Sequence, residues 1–154
     1  MPLLPAGLAL LVLVRIAPHV VTPPDPCTFF TVAEVNALAK GGDAIRAEPS
    51  GGSGKERQCN WLRKGGDNVL NITVRESTDP AGDLAMTGRA WQGMYKQPPK
   101  PVAGVGDGAS WGGRMEMLAF HKGKYFVNMS WGGSKYGGES SITAMAKTVA
   151  GKLR

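Results

Sequence analysis

Two cysteines are the residues of this chain best suited to covalent chemistry. Cys27 and Cys59 are its only thiols. They lack the Cys-x-x-Cys spacing that tunes a redox-active pair, and a zinc set with them would need both histidines, one of which falls in the leader. A lone cysteine pair behind an apolar leader reads as one structural disulfide in an oxidising compartment. Two buried free thiols are the alternative. A Cys27–Cys59 bond would close a loop of about thirty residues and stabilise the fold by roughly 3–4 kcal/mol on the chain-entropy account.

The other groups that catalysis would need are sparse. The histidines are His19 and His121, and His19 falls in the leader. His121 is then the one candidate base, at the tip of an expected hairpin, with no Ser/His/Asp arrangement signalled around it. Calcium would need a carboxylate cluster that the sequence lacks, so neither metal nor cofactor is expected. Gly51-Gly52-Ser53-Gly54-Lys55 matches a phosphate-binding loop only in part. Pro49 occupies the first glycine position and Glu56 the magnesium-binding Ser/Thr position. Gly104-Val105-Gly106-Asp107-Gly108 lacks the spacing and following helix of a dinucleotide site. Its glycines suit a tight turn or bulge in which Asp107 bonds nearby backbone donors; contact between Asp107 and a ligand is the alternative. The chain therefore reads as a non-enzyme.

Two tetrads, Ser110-Trp111-Gly112-Gly113 and Ser130-Trp131-Gly132-Gly133, repeat one pattern. Tryptophan beside glycine can present a flat ring to sugars or aromatic ligands. Regular pairing sets Trp131 opposite Arg114, where the guanidinium would stack on the ring, and gives Trp111 the parity of the other sheet face. Unless glycine bulges re-aim them, the two rings close opposite faces of the sheet. The candidate ligand surface is thus Trp111, Trp131, Arg114 and Asp107.

These residues must be held by elements, and the elements are legible in part. Residues 1–24 form an apolar leader of signal-peptide length, too short to span a bilayer comfortably. It reads as a cleaved signal or a retained membrane tether, and it is the only expected membrane contact. Residues 25–154 form one domain. Thr31 and Glu34 make a capping box, Phe30 and Val35 a hydrophobic staple, and Gly41 a stop; Val35, Leu38 and Ala39 face inward. Residues 42–57 are Gly/Ser-rich and read as a mobile loop. Strands follow over residues 58–63 and 69–75, the second alternating Leu70, Ile72 and Val74 with Asn71, Thr73 and Arg75. Asp79-Pro80 caps a second helix that extends to about Met94. A strand over residues 102–110 precedes a hairpin over 114–121 and 124–131. That hairpin turns at Lys122-Gly123, with Phe120 opposite Tyr125, Leu118 opposite Val127 and Glu116 opposite Met129. A last helix starts at Ser140 or Ser141 and buries Ile142, Met145, Val149 and Leu153. The order α-β-β-α-β-β-β-α implies an α+β fold, an antiparallel sheet of about five strands with helices packed on it. Asn71-Ile72-Thr73 and Asn128-Met129-Ser130 match glycosylation acceptors but lie within strands.

The sequence Asp25-Pro26-Cys27-Thr28-Phe29-Phe30-Thr31-Val32-Ala33-Glu34-Val35, followed by Cys59-Asn60-Trp61 and Gly104-Val105-Gly106-Asp107-Gly108-Ala109, resembles a family of small exported bacterial envelope proteins and lipoproteins of unassigned function. That resemblance implies a disulfide between Cys27 and Cys59 and a sandwich like the Mog1/PsbP type. It brings no catalytic residues. The chain departs from it in lacking a lipobox before Cys27.

A formal charge of +6 favours acidic surfaces, but the basic residues are scattered. No basic helix or aromatic-interleaved strand face appears, so no nucleic-acid partner is expected. The expectation is an exported, non-enzymatic domain, periplasmic or extracellular, that binds an envelope protein or an anionic polymer. One alternative is a carrier of a small apolar ligand or lipid, with Met115, Met117 and Met129 lining an adaptable pocket; core filling would equally explain these methionines. Another is an inhibitor or accessory subunit of an envelope enzyme.

Overall fold

The computed structural model describes residues 22–154. The leader's residues 1–21 and His19 lie outside the described residues. Among the described residues, no helix is long and apolar enough to cross a membrane.

Among the described residues, three helices pack on one antiparallel sheet of seven strands, so the fold is mixed α+β. The strands are β1 (Ala44–Pro49), β2 (Glu56–Arg63), β3 (Asn68–Glu76), β4 (Lys100–Pro101), β5 (Gly108–Trp111), β6 (Met117–Lys122) and β7 (Tyr125–Trp131). Their order across the sheet is β1-β2-β3-β7-β6-β5-β4. The helices are α1 (Val32–Leu38), α2 (Pro80–Tyr95) and α3 (Glu139–Lys152).

The two strands beyond the expected five lie at the sheet's edges. β1 falls in the segment expected to be a mobile loop, and Ala44 is its only fully buried residue. An edge strand that buries so little gives a weak hydrophobic pattern, and pairing with β2 is what orders it. β4 is two residues long and ends in proline, which is tolerated at an edge because one side of the strand needs no donor.

Alternation puts the main core on one face. Trp61, Leu70, Ile72, Leu118, Phe120 and Met129 are fully buried there, under Ile142 and Met145 of α3. Phe30 and Trp61 meet edge to face, their centroids 6.4 Å apart. A smaller cluster lies on the opposite face, where Trp91 of α2 packs on Ala119 and Phe126. Cys27 and Cys59 form a disulfide, with Cα atoms 5.2 Å apart. It ties the 3-10 turn Pro26–Thr28 to β2, next to the Phe30–Trp61 contact.

The local stop and start signals act as their chemistry requires. The Glu34 N–H donates to Thr31 Oγ1 at 3.2 Å, and the Thr31 N–H donates to Glu34 Oε2 at 2.7 Å. The Gly82 N–H donates to Asp79 Oδ1 at 3.0 Å at the start of α2. Leu38, expected to face inward, is instead 37% exposed, because α1 ends there and turns away at Ala39.

The β6–β7 hairpin differs from expectation by two residues in register. Lys122 pairs with Tyr125, Phe120 with Val127 and Leu118 with Met129, so the loop is Gly123-Lys124 rather than Lys122-Gly123. Gly123 takes the left-handed conformation, φ 54°, and its N–H is held by Asp107 Oδ2 at 2.8 Å. Leu118, Phe120, Val127 and Met129 share the core face in either register.

Candidate functional site

Each of the two tryptophan tetrads ends a strand, and both rings lie on the same face. Trp111 pairs with Leu118, and Leu118 with Met129, which sets Trp111 on the face that also holds Trp131. The expectation of opposite faces fails because the chain reverses tightly between β5 and β6. A 3-10 turn at Gly113–Met115 is followed by Glu116 in the left-handed region at φ 52°. Trp111 and Trp131 both belong to the main core and are 8% and 4% exposed. Glu116, not Arg114, stands beside Trp131, whose backbone N–H donates to the Glu116 carbonyl at 3.0 Å. Arg114 sits in the 3-10 turn.

Asp107 closes the hairpin. It accepts hydrogen bonds from Lys122 Nζ and the Gly123 N–H, each at 2.8 Å. The Lys122 contact first, then the backbone donor, holds its carboxyl below the ordinary value. His121 lies within β6 opposite Phe126, against Gly108, where a side chain would have met its ring. The three hairpin methionines are divided between faces. Met129 is in the main core, while Met115 and Met117 pack against the Trp91 cluster. Among the described residues, no group of three or more His, Cys, Asp or Glu is arranged to hold a metal ion.

The arrangement that pattern reading missed is the outer face of β2, β3 and β7. On the inner face these strands carry Cys59, Trp61, Leu70, Ile72, Val127 and Met129. On the outer face the register lines up Asn60, Asn71 and Ser130 in one row, and Gln58, Thr73 and Asn128 in the next. All six side chains are half-buried and uncharged. Helix α2 packs over β5, β6 and β7, and the amide and hydroxyl rows continue past it onto β3 and β2.

Hydrogen bonds and ion pairs fix this floor. Asn71 Nδ2 donates to Asn60 Oδ1 across the strands, and Thr73 Oγ1 reaches Asn71 Oδ1 at 3.5 Å. At one end the Arg75 guanidinium lies 5.3 Å above the Phe126 ring centroid and pairs with Asp83 of α2 at 2.9 Å. Between α2 and the floor is a cavity of about 240 Å³ lined by Glu56, Thr73, Arg75, Met86, Thr87, Phe126 and Asn128. Asn128 Oδ1 is buried at this cavity and makes no hydrogen bond within the protein. A buried amide oxygen without a donor is costly, and among the described residues it is one of seven buried side-chain polar atoms without a partner.

The sequence signal for this face was present. Asn71, Thr73 and Arg75 alternate with core residues in β3, and two half-wet strands side by side make a polar surface. What could not be read was which strands lie side by side, since β3 pairs with the distant β7. No protein-family model matches the chain, and no curated protein is similar enough to it to count as a relative.

Proposed function

We propose that this chain is an exported, non-enzymatic domain that binds a protein or polymer partner in the cell envelope, and that it does so through the outer face of β2, β3 and β7 beside α2. One observation carries the reading. Two rows of uncharged hydrogen-bonding side chains stand in register on strands whose other face is the core, with an unpartnered amide oxygen at the cleft they share with α2. Such groups are rigidly presented, because strand pairing fixes their spacing.

The Cys27–Cys59 bond supports an oxidising compartment and hence export. Charge supports a neutral partner over an anionic polymer. Lys122 and Lys124 are engaged by Asp107 and Glu76, at 2.8 and 3.1 Å, and the six floor residues carry no charge. We also read the sandwich as being of the Mog1/PsbP type, on the strength of helices on both faces of one antiparallel sheet; superposition of an experimental structure tests that.

The functional reading is tested by placing a photo-crosslinking amino acid at Thr73, or at the exposed edge residue Ile45, and irradiating cells. A defined adduct from position 73 and none from position 45 is the expected result. Adducts from position 45 alone would move the binding surface to the sheet edge.

A further inference from the structure

We infer that the occupant of this face is an extended, uncharged polypeptide segment; this rests on the reading of the face as the binding surface and names the class of partner. Three observations point to it.

First, the floor is built of primary amides and hydroxyls. An Asn or Gln side chain offers one acceptor and two donors in a plane, which matches the N–H and C=O of a peptide unit. An extended chain rises about 3.3 Å per residue, so its like-facing units recur about every 6.6 Å, the same repeat as side chains on one face of a strand.

Second, the wall is apolar and adaptable. Met86, Ala90 and Met94 recur every four residues and so share one side of α2. All three are exposed, Met86 by 55% and Met94 by 61%, and Met86 lines the cavity beside Thr73 and Arg75. Methionine suits surfaces that receive side chains of varied shape. A glycan would instead call for an open aromatic platform. Phe126 is the one aromatic lining the cavity, and it is buried with Arg75 over its ring.

Third, the border arginines are already matched, and the cavity's one carboxylate, Glu56, stands opposite Arg75 in register. Arg75 pairs with Asp83, and Arg46 on β1 pairs with Glu48 at 2.5 Å. An anionic occupant would have to draw these arginines from their carboxylates, whereas a neutral one leaves the pairs in place.

The test uses the full, oxidised chain as bait for a displayed library of random octapeptides, with the double variant Met86→Asp/Met94→Asp as counter-bait. Both positions are exposed on a helix, so the fold is retained, and an unchanged thermal midpoint verifies this. The expected result is enrichment of uncharged sequences with apolar residues at alternate positions. The selected peptides should bind the double variant at least tenfold more weakly, and should shift the amide resonances of β2, β3, β7 and α2.

Failure to enrich over the counter-bait overturns the inference. So does selection of charged peptides, or self-association of the chain through this face in sedimentation. Amide shifts on the same face with chito-oligosaccharides, and none with selected peptides, would overturn the polypeptide assignment while leaving the face as the binding surface. Peptide shifts confined to other elements would remove both.

Discussion

The Arg75 guanidinium sits 5.3 Å above the Phe126 ring and at the same time pairs with Asp83 across the sheet–helix boundary. One side chain thus covers the only aromatic at the cleft and latches α2 to β3. Replacing it frees both partners. Arg75→Ala is expected to expose the Phe126 face and to weaken the docking of α2, costing about 1 kcal/mol, as expected for a half-exposed ion pair and one cation–π contact. A double-mutant cycle with Asp83→Ala measures the share carried by the ion pair.

The disulfide joins Cys27 and Cys59 across 32 positions. Its loss in a Cys27→Ala/Cys59→Ala variant should lower stability by about 3 kcal/mol through the freedom returned to the unfolded chain. Urea unfolding followed by tryptophan fluorescence reports it, since Trp61 lies beside the bond. A midpoint unchanged from the oxidised wild type would remove the disulfide's stabilising role.

The tryptophans of the two tetrads act on stability. Trp131 is 4% exposed in the main core, and Trp131→Ala should cost about 3–5 kcal/mol, the range for deleting a buried large aromatic. The neighbouring glycine is equally constrained. A Cβ on Gly132 would lie 1.7 Å from the Asn68 carbonyl oxygen, so Gly132→Ala should cost about 2–3 kcal/mol through forced backbone shifts. Calorimetry of the two variants checks both values.

Glu116 and Asp107 should titrate with opposite effects on stability. Burial raises the Glu116 carboxyl above its ordinary value of 4.5. Its folded pKa therefore exceeds the unfolded one, and a penalty grows as pH rises through that interval. Glu116→Gln should be more stable than wild type at neutral pH, and the difference should vanish below pH 4.5. Asp107 is lowered from 3.8 by Lys122 and Gly123. Its contribution is present above the unfolded value and is lost as pH falls through the folded one. Asp107→Asn should therefore be less stable than wild type at neutral pH and converge with it in acid. Unfolding midpoints measured from pH 2 to pH 8 decide both.

Much of the fold was legible where chemistry is local. The Thr31–Glu34 box, the Asp79-Pro80 start and the Ile142, Met145 and Val149 stripe are each written within one turn or one face of a helix, and each stands where its residues require. The misreadings came from long-range pairing. β1 is strand because β2 lies beside it, and Trp111 shares a face with Trp131 because a left-handed Glu116 reverses the chain. The proposed binding face is also long-range: Asn71 and Ser130 are neighbours only because β3 pairs with β7. No spacing in the sequence encodes that.

Amide chemical-shift mapping of the full, oxidised chain against solubilised envelope material decides whether the outer face of β2, β3 and β7 binds. Shifts are expected on Gln58, Asn60, Asn71, Thr73, Asn128 and Met86, and are expected to be lost in the Met86→Asp/Met94→Asp variant. Shifts confined instead to the cavity lined by Arg63, Lys135 and Tyr136, or no shifts at saturating material, would contradict binding by that face.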